Sequence, residues 1–185
     1  MAMKILGISG SLRKDSWNSA LLRTAGGMLA GAGHELVIAG IGDLPLINTD
    51  LEREGRFPAP VERLRAEILA ADALVFATPE YNASIPAPLK NAIDWASRPN
   101  NTLGGKPAMI MGASPGVLGT ARAQYPLRQT LGVLSVQLMG QPEVFIAAAA
   151  QKFANGELAD AATRDFVAAA LVSFAGFAAR VKLGE

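Results

Sequence analysis

Residues 3–22 read MKILGISGSLRKDSWNSALL. Met3 to Ile8 is a short, mainly apolar run. A loop crowded with serine, arginine, lysine and asparagine follows, and Ser16 or Asn18 then stands where an N-cap is needed for an Ala/Leu-rich helix running to about Gly31. The order strand, polar loop, helix recurs along the chain. His34 to Ile38 reads as a second strand, and the polar connection GDLPLINTDLEREGRFPAP (42–60) carries prolines and charges that argue against regular structure. Val61 to Ala71 has helical spacing. DALVFATP (72–79) is a continuous apolar run, as expected of a strand covered on both faces. A helix from about Leu89 to Ala96, a strand in GKPAMIMGA (105–113) and a helix from about Gly119 to Leu134 follow. VFIAA (144–148) gives a fifth strand, with room for a small one near Val136. A last helix, about Glu157 to Lys182, repeats Val167, Ala170, Leu171, Phe174, Phe177 and Val181 on one face. Parallel strands need crossovers, and right-handed crossovers fill both faces of a sheet. The expected class is α/β, one domain over residues 1–185.

Composition narrows the chemistry. The chain has 185 residues, 50% hydrophobic and 18% charged, ordinary for a globular domain with a full core. Lys and Arg number 17 against 16 Asp and Glu, so no global field recruits nucleic acid or an anionic membrane. Zero cysteines excludes disulfides, thiolate catalysis and thiolate metal sites, and the cytoplasm is the default compartment. The N-terminal apolar run is too short for a signal core, and the run near residue 147 is interrupted by Gln151 and Lys152, so no membrane span is expected. A single histidine, His34, sits at the start of a strand, away from the expected ligand edge. Difficult chemistry therefore calls for a borrowed group.

In open α/β sheets ligands bind beyond the carboxyl ends of the strands, where the winding reverses. Three loops there are unusual: SGSLRKDSWNS (9–19), TPEYNAS (78–84) and GASPGVLG (112–119). In the first, Ser11, Ser16, Asn18 and Ser19 supply neutral donors, the next helix offers unpaired N–H groups, and Arg13 adds a charged fork; the set suits a terminal phosphate. Neither G-x-x-x-x-G-K-[ST] nor G-x-G-x-x-G is present, which leaves a mononucleotide rather than a P-loop or dinucleotide ligand. In the second loop Tyr81 forms part of a wall for a flat ring. In the third, glycines permit close approach of the backbone. ERLRAE (62–67) reads as a solvated helix face, and Trp95 as either peripheral core or a subunit contact.

GSLRKDSWNSAL, LPLINTDLE, TPEYNASIPAPLKNAIDW and GASPGVLGTARAQYPLRQ together resemble the NADPH-dependent FMN reductase family, which includes quinone- and chromate-reducing enzymes on a flavodoxin-like fold. The resemblance covers nearly the whole chain. It implies a three-layer sandwich with a five-stranded parallel sheet in the order 2-1-3-4-5. It further implies that Ser11, Arg13, Ser16, Asn18 and Ser19 cradle the FMN phosphate, that Pro79, Glu80, Tyr81 and Asn82 border the isoalloxazine, and that Ser114 and Gly116 approach its pyrimidine end. NADPH is the implied co-substrate, giving hydride through FMN to a quinone, a second flavin or a similar small acceptor. No catalytic side chain and no metal are required. The family also implies a homodimer or homotetramer with the flavin near a subunit boundary, where Arg122, Tyr125 and Trp95 are candidate contacts. Asp15 and Thr120 stand where the family often has glycine.

Two other classes make distinct demands. A flavodoxin-like electron carrier without pyridine-nucleotide activity needs an acidic steering face, at odds with a net charge of +1. A phospho-receiver needs acidic residues at the ends of strands 1 and 3, where this chain has Ser9 and Thr78-Pro79.

Overall fold

The computed structural model describes residues 2–53 and 55–184. Strands β1 (Lys4–Ser9), β2 (Glu35–Ala39), β3 (Ala73–Ala77) and β4 (Pro107–Ala113) form a parallel sheet in the order 2-1-3-4. Beyond β4 the sheet is completed by β5 (Gln137–Leu138) and β6 (Val144–Ile146), each parallel to β4. The sheet thus has the flavodoxin-like order, with its fifth position in two pieces. Gln137 pairs Pro107 at the start of β4, while Val144 pairs Met111 near its end. Gly140 and Pro142 lie between the pieces, and proline cannot donate to a ladder.

Every residue of β3 and β4 is buried, because helices cover both faces. Alternate side chains feed two cores. Ile5, Val75, Met109 and Met111 pack beneath α1 (Trp17–Gly31) and α6 (Ala161–Leu183). Leu6, Ile8, Phe76 and Ile110 pack beneath α2 (Ala59–Ala70), α3 (Ala87–Ala96) and α4 (Ala121–Val133). The helix α6 is long and apolar enough to cross a membrane by composition alone, yet Val167, Phe174 and Ala178 on its inner face are fully buried in the first core.

Three expectations are corrected. The last helix begins at Ala161, not Glu157, because the preceding residues leave the short α5 (Ala149–Lys152) and form an antiparallel hairpin of β7 (Phe153–Ala154) and β8 (Glu157–Leu158). Its turn, Asn155-Gly156, has φ of 52° and 77°, the left-handed pair that such two-residue hairpins need; Asp160 then caps α6 by accepting from the N–H of Thr163 at 2.9 Å. Arg65 is not on a solvated face. It is buried and donates to the carbonyls of Trp95, Ala96, Arg98, Pro99 and Asn100, satisfying the C-terminal end of α3 and the turn after it. Trp95 is fully buried and its Nε1 donates to the Pro45 carbonyl at 2.8 Å, so it is core and not a subunit contact.

Candidate functional site

β2 lies on one side of β1 and β3 on the other, so the winding reverses between them and their carboxyl ends open a crevice. The loops leaving β1, β3 and β4 are neighbours there. The N–H of Gly10 donates to Ala77 at 2.8 Å and that of Thr78 to Met111 at 3.0 Å, stitching each loop root to the next strand. His34 is at the other end of the sheet, where its Nδ1 accepts from the N–H of Met3. Among the described residues no group of acidic, histidine or cysteine side chains could hold a metal ion.

The first loop curls around its own hydroxyls. Ser9 and Ser19 share a hydrogen bond of 3.0 Å; the N–H of Ser11 points to Ser9 Oγ, and the N–H of Arg13 to Ser11 Oγ at 3.4 Å. Ser16 is the N-cap of α1, its Oγ accepting from the N–H of Ser19 at 3.3 Å. Trp17 and Asn18 open the helix, so their N–H groups have no helical acceptor and point out of its positive end. Arg13 is exposed, 6.0 Å from the Trp17 ring centroid, and engages no carboxylate in an ion pair among the described residues.

Asn18 also has a scaffold role. Its side-chain amide donates to the Ala113 carbonyl at 3.0 Å and accepts from the Ala113 N–H at 2.9 Å. One N–H and the oxygen of the amide brace the start of α1 against the end of β4, which leaves the second amide N–H and the backbone N–H for a ligand.

The second loop is a tight turn. Tyr81 and Ser84 exchange two backbone hydrogen bonds, and Asn82 and Ala83 between them have φ of 51° and 60°. Tyr81 and Asn82 are thereby presented outward, with Tyr81 half exposed, while Pro79 is buried at the loop root. Glu80 reaches the start of α4. Its carboxylate, only 9% exposed, takes the Nε–H of Arg122 at 2.7 Å and the Arg122 backbone N–H at 3.1 Å. The pair neutralises the one acidic side chain of this loop and ties it to the start of α4.

The third loop is pinned from behind. Ser114 and Gly116 accept through their carbonyls from the N–H groups of Ala149 and Ala148. Gly112 admits no side chain, since a Cβ there would lie 2.0 Å from Thr120 Oγ1 and 2.5 Å from the Thr78 carbonyl. Thr120, where glycine was the expected family residue, adopts φ of 77° and is held by the amide of Gln124, whose Nε2 donates to its Oγ1 at 3.0 Å. The rim of the crevice is apolar, with Leu12, Leu46, Ile47, Val117 and Leu118 exposed.

Ser11, Arg13, Ser16 and Ser19 thus gather in one loop. Pro79, Tyr81, Asn82, Ser114 and Gly116 lie on the two loops at the ends of β3 and β4. The roles of Gln124 as a brace for Thr120 and of Arg122 as the partner of Glu80 go beyond what the sequence indicates. The Thr120–Gln124 spacing of four on a helix was a readable signal, whereas the Glu80–Arg122 pair spans 42 residues and has no local one.

The chain matches known proteins over this same framework. A quinone reductase of Escherichia coli is 41% identical over 185 residues, covering 98% of each chain. An NAD(P)H-dependent FMN reductase of Pseudomonas aeruginosa is 53% identical over 167 residues, 89% of each. Among solved structures, FerB of Paracoccus denitrificans, a flavoenzyme NAD(P)H:(acceptor) oxidoreductase, superposes with a TM-score of 0.88 at 38% identity, covering 96% of this chain and 98% of its own. The family model described as NADPH-dependent FMN reductase matches residues 3–151, which takes in all three loops, and the chain belongs to that family.

Proposed function

We propose that the crevice holds FMN and that the protein is an NAD(P)H-dependent reductase delivering reducing equivalents to a quinone, a flavin or a similar small acceptor. The observation that carries this reading is the open positive end of α1, ringed by Ser11, Ser16 and Ser19, next to an outward-facing Tyr81 turn. The residues present fit the group. A phosphate dianion meets the N–H groups of Trp17 and Asn18, the serine hydroxyls and the exposed guanidinium of Arg13. Glu80 offers no repulsion, because Arg122 neutralises it. Asp15 is exposed on the same loop, directly after Arg13 and Lys14.

When bound, FMN would supply the redox chemistry, a hydride relay between NADPH and the acceptor. The chain's own work is positional. The phosphate loop anchors one end of the ligand, and Tyr81 and Asn82 flank its ring. Ser114 and Gly116 bring backbone toward the pyrimidine end, and the apolar rim of Leu46, Ile47 and Val117 gives flat, poorly hydrated surface for nicotinamide or acceptor to stack against. Pro79 buttresses the root of the Tyr81 turn. In assembly the protein is a homodimer or homotetramer in the cytoplasm, with the exposed Tyr125 of α4 near a subunit boundary.

The test is anaerobic titration of the FMN-loaded protein with NADPH, followed in the flavin absorbance band. Bleaching that is restored by added quinone is expected. A flavin-loaded protein that NADPH does not bleach is a carrier, and a protein that takes up no flavin contradicts the reading outright.

A further inference from the structure

The face of α6 turned away from the core is unusually bare. Phe166, Ala169, Val172, Ser173 and Gly176 lie along it and are all exposed, the exposure of Val172 reaching 71%. The Ser173 hydroxyl donates back to the Ala169 carbonyl at 3.1 Å, so the face offers little unsatisfied polarity. Gly176 lies on it, one turn beyond Val172, and the nearest atom to where a Cβ would be is in the Arg180 guanidinium, at 3.7 Å. Charges of opposite sign close the two ends of the stripe, Asp165 and Arg180, and neither takes part in an ion pair among the described residues.

These positions are self-complementary. When two such helices run antiparallel about a two-fold axis midway between Val172 and Ser173, position i meets position 345 − i on the other helix. Asp165 then faces the partner's Arg180, and Ala169 faces the partner's Gly176. Both ends are satisfied at once, and the small residues let the backbones approach closely. We infer that α6 is a docking surface for the α6 of a second copy of this chain, packed antiparallel, on the opposite side of α6 from its contacts with the core. A membrane surface would be a poorer fit to this face, which carries an acid at one end and lacks the row of Lys and Arg that anionic lipid selects. A single helix pair buries less than a freestanding dimer needs, so this contact joins subunits weakly or alongside another interface.

The absence of native cysteine makes the test clean. In full-length, FMN-loaded protein, Ser173→Cys lies beside the axis and is expected to give a disulfide-linked dimer under mild oxidation. Ala162→Cys is expected to stay single-chain, since its two copies would be about 30 Å apart at 1.5 Å per residue, far beyond disulfide reach. In sedimentation equilibrium Gly176→Glu is expected to weaken self-association at least tenfold. Asp165→Arg and Arg180→Asp should each weaken it too, and the double variant should restore it. No cross-link at position 173, equal cross-linking at 162, or unchanged association of the Gly176→Glu variant overturns the inference. So does binding to anionic phospholipid vesicles in place of self-association.

Discussion

Arg13 and Arg65 show how differently one side chain is used in this fold. Arg65 is buried, its Cζ 4.4 Å from the Phe57 ring centroid, and it donates to the carbonyls of five residues at and beyond the end of α3. Burial lowers its pKa from the ordinary guanidinium value, though it remains charged at any physiological pH. Arg65→Met keeps the volume of the stem and removes every donor. It is expected to cost about 2–4 kcal/mol in urea unfolding, because buried carbonyls would lose charge-assisted bonds. Arg13 is exposed and forms no ion pair among the described residues, so Arg13→Ala should leave stability nearly unchanged. In isothermal titration it should weaken FMN by about 1.5–3 kcal/mol while riboflavin, lacking the phosphate, binds as before. Equal loss for both ligands would remove Arg13 from the phosphate site. Residue letters do not separate these two roles. Arg13 is readable because its loop follows a strand, whereas Arg65 lies in ERLRAE, where its neighbour Arg63 does reach Glu67 at 3.9 Å as a surface pair would.

At the scale of elements, the strands and most helices were legible because continuous apolar runs and three-to-four spacing record burial directly. The failures have local causes. The Asn155-Gly156 turn is a recognisable hairpin signal, but its strands are only two residues long and the helical pattern beyond them can be read backward across it. The fifth strand position is divided because Pro142 and Gly140 interrupt it. The turn beside the crevice carries its own strain, since Ala83 occupies a left-handed conformation that costs a residue with a Cβ about 1–2 kcal/mol. Ala83→Gly is expected to raise stability by about 0.5–1 kcal/mol, the gain being reduced by the greater freedom of glycine in the unfolded chain. A lower melting temperature for this variant would show that the methyl group is needed.

The end of α6 is tied to the entry of β3. Asp72, just before β3, accepts from Lys182 Nζ at 2.6 Å and from the Lys4 N–H at 2.8 Å, and these bonds, led by the one from Lys182, hold its pKa below the ordinary value. A carboxyl with a lowered folded pKa stabilises fully above its unfolded pKa near 4, and the contribution fades as pH falls through the folded value. The stability gap between wild type and Asp72→Asn should therefore be constant from pH 8 to about 5 and shrink below about 4. A gap that instead widens in acid would reverse the assignment.

Over the whole molecule the sheet order converts separate loops into one site. Ser11, Tyr81 and Ser114 are far apart in sequence and meet only because β1, β3 and β4 are neighbours. The loops themselves were legible as clusters of serine, glycine and proline between apolar runs. The couplings that hold them in place were not, since the Asn18–Ala113 brace spans 95 residues and the Glu80–Arg122 pair 42. No local pattern encodes contacts of that range, so the scaffold role of the Asn18 amide has no signal in the sequence around it. The chain has no cysteine, and its single histidine lies at the opposite end of the sheet from these loops.

The central claim is that the open end of α1 takes the phosphate of a flavin mononucleotide. A crystal soaked in FMN tests it most directly. The account predicts phosphate density within hydrogen-bond distance of Ser11, Ser16 or Ser19 and of the Trp17 and Asn18 N–H groups, with the ring lying against the Tyr81 turn. Ring density elsewhere, or a phosphate loop that stays empty at saturating FMN, would contradict it.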